Sequence, residues 1–135
     1  MHTNQSGVGR GFFNLQDVQI CNQSLITQLD FGFDPFKGIC IAPESPDQPS
    51  RYRKPSPNFA LEVMADNNLN ANEICYVGDR LVDLQTAHAA VTKGVGVRTG
   101  LVDVADEVDG SDFADRYRLF DSFESAIGAI LKDRQ

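Results

Sequence analysis

The chain has 135 residues, of which 41% are hydrophobic and 23% charged, and its net charge is −7. That length suits one globular domain with its own core, and the acidic balance disfavours nucleic acid or anionic membrane as a partner. No apolar run reaches membrane-spanning length, and Cys21, Cys40 and Cys75 are too far apart for a zinc cluster or disulfide framework. A soluble, cytoplasmic chain with reduced, mostly buried thiols is the expectation.

The first eleven residues already read like a motif, with no strand expected in front of it. Thr3, Asn4, Gln5 and Ser6 offer hydroxyl and amide groups, Gly7, Gly9 and Gly11 alternate, and Arg10 adds a guanidinium fork. Alternating glycines let backbone amides converge on an anion, although such a segment alone also reads as a flexible polar terminus. Asn14 with Asp17 forms a near capping box, and Val18, Cys21, Leu25 and Leu29 recur at helical spacing. They predict a helix over about 15–30. Residues 36–42 read as a short buried strand, followed by a loop carrying Pro43, Pro46, Pro49, Pro55 and Pro57. The local basic cluster Arg51-Tyr52-Arg53-Lys54 lies in that loop.

Ser56 and Pro57 suit the start of the next helix, with Leu61, Met64, Ala65 and Leu69 on one face. Ile74-Cys75-Tyr76-Val77 then runs into Gly78 and Asp79, the pattern of a buried parallel strand ending at the carboxyl edge of an α/β sheet. Asp83 follows one helical turn later, so both carboxylates could serve a hard divalent cation, or Asp79 could simply cap the helix. That helix is expected over about 81–92, with His88 on its surface or packed. Residues 94–98 predict a strand, 99–115 an acidic loop and 117–120 an edge strand. A last helix is expected after Asp121 or Ser122, with Phe123, Ile127, Ile130 and Leu131 inward. Alternating strands and helices predict an α/β fold with a mainly parallel sheet and helices on both faces.

Three pieces fit one chemistry: the Thr3–Arg10 segment, the Arg53-Lys54 loop and the Asp79/Asp83 pair. Phosphoryl transfer needs donors and a cation around the phosphate, and a metal to neutralise developing charge. Their order and wording resemble the haloacid dehalogenase (HAD) superfamily of phosphatases, in its heptose-bisphosphate and histidinol-phosphate branch. The Gly9-Arg10-Gly11 continuation is similar to the heptose-bisphosphate type.

The resemblance implies a three-layer, Rossmann-like fold and a Mg²⁺-assisted hydrolase for a small sugar phosphate. It implies that Thr3, Asn4, Gln5 and Ser6 hold the phosphate, and that Arg10 and Arg53 anchor the substrate side. Lys54 would bridge phosphate and nucleophile, and Asp79 would ligate Mg²⁺ with Asp83 in support. It also implies an aspartate nucleophile in an Asp-x-Asp-Gly string, which this sequence does not contain; Glu107-Val108-Asp109-Gly110 begins with Glu and reads as a loop. The expectation is therefore one HAD-like domain missing its first strand and inactive alone. Relatives carry a zinc-binding Cys/His loop before the lysine, but Ser50, Arg51 and Tyr52 stand there, so no zinc is expected. Two alternatives are a non-catalytic phosphate- or partner-binding protein and, against the net charge, a polynucleotide 3′-phosphatase.

Overall fold

The computed structural model describes residues 1–133. They group into two compact units, Met1–Arg53 and the chain from Lys54 onward.

In the first unit, β1 (His2–Asn4) pairs in parallel with β2 (Cys40–Ala42), so Thr3 lies beside Ile41 and Asn4 beside Ala42. The opening residues are thus a strand rather than a flexible terminus. A short helix α1 (Ser6–Gly9) follows, then α2 (Leu15–Leu29). The expected capping box starts α2: Asn14 accepts the Asp17 amide and Asp17 accepts the Asn14 amide. The helix falls where the spacing placed it, and of the four residues that set the spacing only Val18 is buried, while Cys21, Leu25 and Leu29 are exposed. The strand expected over 36–42 shortens to its last three residues, because only these find partners on β1.

The second unit opens with α3 (Asn58–Asn67), one residue later than Ser56 and Pro57 suggest, and Ser56 Oγ accepts the Asn58 amide at 3.3 Å. A 3₁₀ turn (Ala71–Glu73) leads into β3 (Cys75–Gly78), α4 (Leu81–Ala89), β4 (Lys93–Val97), α5 (Val104–Val108), β5 (Arg118–Phe120) and α6 (Phe123–Lys132). The three strands form one parallel sheet in the order β3-β4-β5. Leu84, Val104 and Val108 of α4 and α5 cluster with Leu119 of β5, while Val95 and Val97 of β4 pack on Ala126 of α6. Helices therefore cover both faces.

The alternation in β4 explains that layering. Val95 and Val97 face α6, and Gly94 and Gly96, which alternate with them, face the other way. A Cβ on Gly94 would stand 3.0 Å from Ala87 Cβ, and one on Gly96 would stand 2.5 Å from a Leu119 methyl. Larger residues would push the α4–α5 layer off the sheet.

Two expectations change here. Residues 99–115 contain a helix, since Asp103 accepts the Ala105 amide at 2.9 Å and caps α5. On α6 the fully buried residue is Ala126, whereas Phe123 and Leu131 are exposed. Ser122 starts this helix through a capping box with Ser125. Among the described residues no helix is long and apolar enough to cross a membrane.

Candidate functional site

In the first unit the Thr3–Arg10 segment is shaped by internal hydrogen bonds. Gln5 Nε2 donates to Thr3 Oγ1 at 2.9 Å, and the Gln5 amide reaches the Ala42 carbonyl at 2.8 Å. Asn4 ends β1, Ser6 opens α1 and Arg10 lies exposed just after it. The expected convergence of glycine amides does not appear. Gly9 N–H goes to the Pro43 carbonyl, Gly11 N–H to the Val8 carbonyl and Arg10 N–H to the Ser6 carbonyl. The glycines serve close approach and turning instead. A Cβ on Gly9 would fall 2.5 Å from the Ser45 amide nitrogen, and Gly11 has φ +74°.

Contact at Gly9 packs this segment against the proline-rich loop, where Arg10 lies within electrostatic reach of Asp47. The Asp47 carboxyl is held below its usual range, chiefly by the Ser45 hydroxyl. Arg53, at the end of the loop, donates from Nη1 to the Glu44 carbonyl at 3.1 Å.

The second unit builds a more compact constellation. Lys54 Nζ lies 2.5 Å from Asp83 Oδ1, with both side chains almost fully covered. The other Asp83 oxygen accepts the Arg80 amide at 3.2 Å and so caps the N-terminus of α4. This carboxylate lies directly against the end of β3, and a Cβ on Gly78 would stand 2.2 Å from Asp83 Cγ. Glycine before Asp79 is thus a steric requirement of the buried ion pair.

Asp79 differs from Asp83. It is half-buried at the tip of β3, and its carboxylate has no hydrogen bond or ion pair among the described residues. Gly100 leaves room beside it, since a Cβ there would come within 2.8 Å of Asp79 Oδ2. Of the two aspartates it therefore has the open oxygens. Asp83 was expected as a second metal-side carboxylate, but its oxygens are engaged by Lys54 and Arg80.

Sequence reasoning missed two supporting residues. Glu107 forms an ion pair with Arg80 at 2.6 Å and accepts the Leu81 amide at 2.8 Å, adding a second acceptor at the start of α4. The Arg80 guanidinium holds the Glu107 carboxyl below its ordinary range, and Glu107 in turn raises the arginine. Glu107 lies in α5, 26 residues from Leu81 in sequence, and only the unforeseen α5 brings it there. Gly100 lies in a loop whose only sequence signal was the turn tendency of glycine. His88 meets Phe113 edge-on at 5.4 Å and takes no part in the site.

Magnesium accepts one or two carboxylates and completes its shell with water and substrate oxygens. One open carboxylate at a strand tip fits that demand, whereas zinc would need about four nitrogen or sulfur ligands. Among the described residues no three His, Cys, Asp or Glu side chains gather in a metal-holding group.

Comparisons with known proteins agree with this architecture. The chain is 28% identical over 120 residues to the D-glycero-beta-D-manno-heptose-1,7-bisphosphate 7-phosphatase of Neisseria meningitidis, covering 89% of this chain and 64% of that protein. It is 43% identical over 82 residues to the phospholysine phosphohistidine inorganic pyrophosphate phosphatase of Danio rerio, covering 60% of this chain and 30% of that one. The chain thus spans about one third to just under two thirds of the length of these relatives.

Among solved structures, the D,D-heptose 1,7-bisphosphate phosphatase of B. bronchiseptica, complexed with magnesium and phosphate, superposes with a TM-score of 0.85. It covers 98% of this chain and 73% of that one at 23% identity, which establishes a shared fold. The HAD-hydrolase-like family profile matches residues 51–126, more than half of the chain and the whole stretch holding Lys54, Asp79 and Asp83. With that match on the lysine, the strand-tip aspartate and the sheet between them, the chain belongs to the HAD-hydrolase-like family.

Proposed function

We propose that this chain provides the phosphate- and metal-binding residues of a phosphomonoester hydrolase acting on a small sugar bisphosphate of the heptose type. The observation that carries the reading is the Lys54–Asp83 ion pair beneath Gly78, beside the open carboxylate of Asp79. A buried lysine fixed by one carboxylate is a preorganised cation, so it stabilises added negative charge without reorganising during the reaction. Asp83 holds that lysine and the start of α4 in place. Asp79 would hold the magnesium ion, which when bound neutralises charge on the transferred phosphoryl group.

Thr3, Asn4, Gln5 and Ser6 serve the phosphate in this reading, and Arg10 and Arg53 serve the rest of the substrate. The heptose assignment draws on the relatives that align with most of the chain and on the wording of the Thr3–Gly11 stretch. The phosphoryl acceptor is not among these 135 residues, which contain no Asp-x-Asp-Gly string. The second reading, a protein that binds phosphate without turning it over, uses the same cation and differs only in what completes the site.

Inorganic phosphate titrated into the 135-residue protein, followed by ³¹P NMR, tests the shared step. Saturable binding that drops at least tenfold in Lys54→Ala, at matched folded fraction, is expected for a charge-assisted contact. Equal binding by Lys54→Ala removes this lysine from the site.

A further inference from the structure

The loop between β2 and Lys54 has no regular secondary structure up to Arg53, yet a closed hydrogen-bond circuit runs through it. The Ser50 hydroxyl donates to Glu44 Oε2 at 2.8 Å. Ser50 Oγ in turn accepts the Arg53 backbone N–H at 3.0 Å. Arg53 Nη1 then returns to the Glu44 carbonyl at 3.1 Å.

Ser50 is the hinge of this circuit, because a hydroxyl can donate once and accept at the same time. Its bond to the carboxylate is charge-assisted and occupies one Glu44 oxygen. The arginine is therefore fixed at both ends, its backbone by Ser50 and its guanidinium by the Glu44 carbonyl. A guanidinium carries five N–H donors, and the others on Arg53 meet no acceptor among the described residues. They are presented as a fork with one tine already anchored. A flexible arginine would lose side-chain freedom on meeting an anion, whereas this one has lost part of it beforehand.

We infer that Ser50 and Glu44 are positioning residues that preset Arg53 for the second phosphate of a sugar bisphosphate, and so select bisphosphate over monophosphate. The inference rests on the proposed function, in which Arg53 anchors the substrate side. It goes further by assigning bisphosphate selectivity to a serine and a glutamate that need not touch the ligand.

The test is calorimetric titration of the 135-residue protein with a sugar bisphosphate and, separately, with inorganic phosphate. Four variants are compared at matched folded fraction: Arg53→Ala, Ser50→Ala, Ser50→Thr and Glu44→Gln. Arg53→Ala should weaken bisphosphate binding at least tenfold and leave inorganic phosphate nearly unchanged. Ser50→Ala should reproduce roughly half of that effect on a logarithmic scale, about threefold to fivefold. Ser50→Thr keeps the hydroxyl and should restore affinity, and Glu44→Gln should fall between wild type and Ser50→Ala.

If Arg53→Ala leaves bisphosphate affinity intact, the anchoring role itself fails. If Arg53→Ala weakens bisphosphate but Ser50→Ala does not, only the positioning role fails. Equal weakening of both ligands by Ser50→Ala, without rescue by threonine, means general loop disorder and also overturns the inference.

Discussion

The two aspartates that look interchangeable in sequence have different work in the structure. Asp83 is paired, buried and engaged at both oxygens, whereas Asp79 is half-buried with no partner among the described residues. Breaking a buried ion pair leaves an uncompensated group, so Asp83→Asn should cost about 3–5 kcal/mol of stability. Asp79→Asn should change stability by less than about 0.5 kcal/mol, since it breaks no contact. It should instead abolish any rise in melting temperature on adding magnesium, because that rise measures cation binding to the folded state. Thermal melts of both variants with and without magnesium check the assignment, and a magnesium response retained by Asp79→Asn contradicts it.

Glu107 allows a pH test at the same scale. Its carboxyl is held below the ordinary range by Arg80, so its folded-state pKa lies below its unfolded one, about 4.3. In that window the unfolded chain binds more protons, and stability rises with pH. The Glu107 contribution is fully present above about 4.3 and is lost as pH falls through the folded value. Urea midpoints measured across this acid range should show a shallower slope in Glu107→Gln than in wild type. An unchanged slope would remove Glu107 from the capping of α4.

At the level of elements, the end of α4 carries a local conflict. Thr92 N–H reaches the Ala87 carbonyl and Val91 N–H the His88 carbonyl, the paired bonds of a Schellman termination. The residue between cap and strand must then adopt left-handed backbone geometry, and it is Val91 at φ +58°. A β-branched side chain is poorly suited there, and at 80% exposure it gains little from packing. Val91→Gly should therefore raise stability by about 1 kcal/mol, read as a higher melting temperature. A fall would show that valine has a packing role absent from this structure.

Elements with strong local signals were legible in the sequence. The α2 and α6 caps, β3 with its Gly-Asp end and the β4 strand follow from capping residues and apolar runs that act over a few positions. What was not legible depended on tertiary partners. The short α5 needed Asp103 as a cap and a core seat for Val104 and Val108. The exposed face of α2 is decided by what packs against it, and periodicity reports only that an apolar face exists. The Lys54–Asp83 pair spans 29 residues, so the sequence supplied both charges but not their contact. Likewise Ser50 read only as a position without a zinc ligand, and its role appeared once Glu44 and Arg53 were seen on either side.

For the whole molecule, the central claim is that these residues complete a phosphatase once a phosphoryl acceptor is supplied. Lys54, Asp79 and Asp83 lie in one unit, and Thr3 through Arg10 with Arg53 in the other. Each set is preorganised by its own hydrogen bonds, and neither includes the aspartate nucleophile that such transfer requires. Phosphate release by the 135 residues alone should therefore stay at background. The decisive measurement is the initial rate of phosphate release from a heptose 1,7-bisphosphate by protein with an Asp-x-Asp-Gly strand fused ahead of Met1. The expected result is magnesium-dependent turnover that falls by orders of magnitude in Lys54→Ala and in Asp79→Asn at matched folded fraction. Absence of turnover in the folded fusion, or near-normal turnover in either variant, would contradict the account.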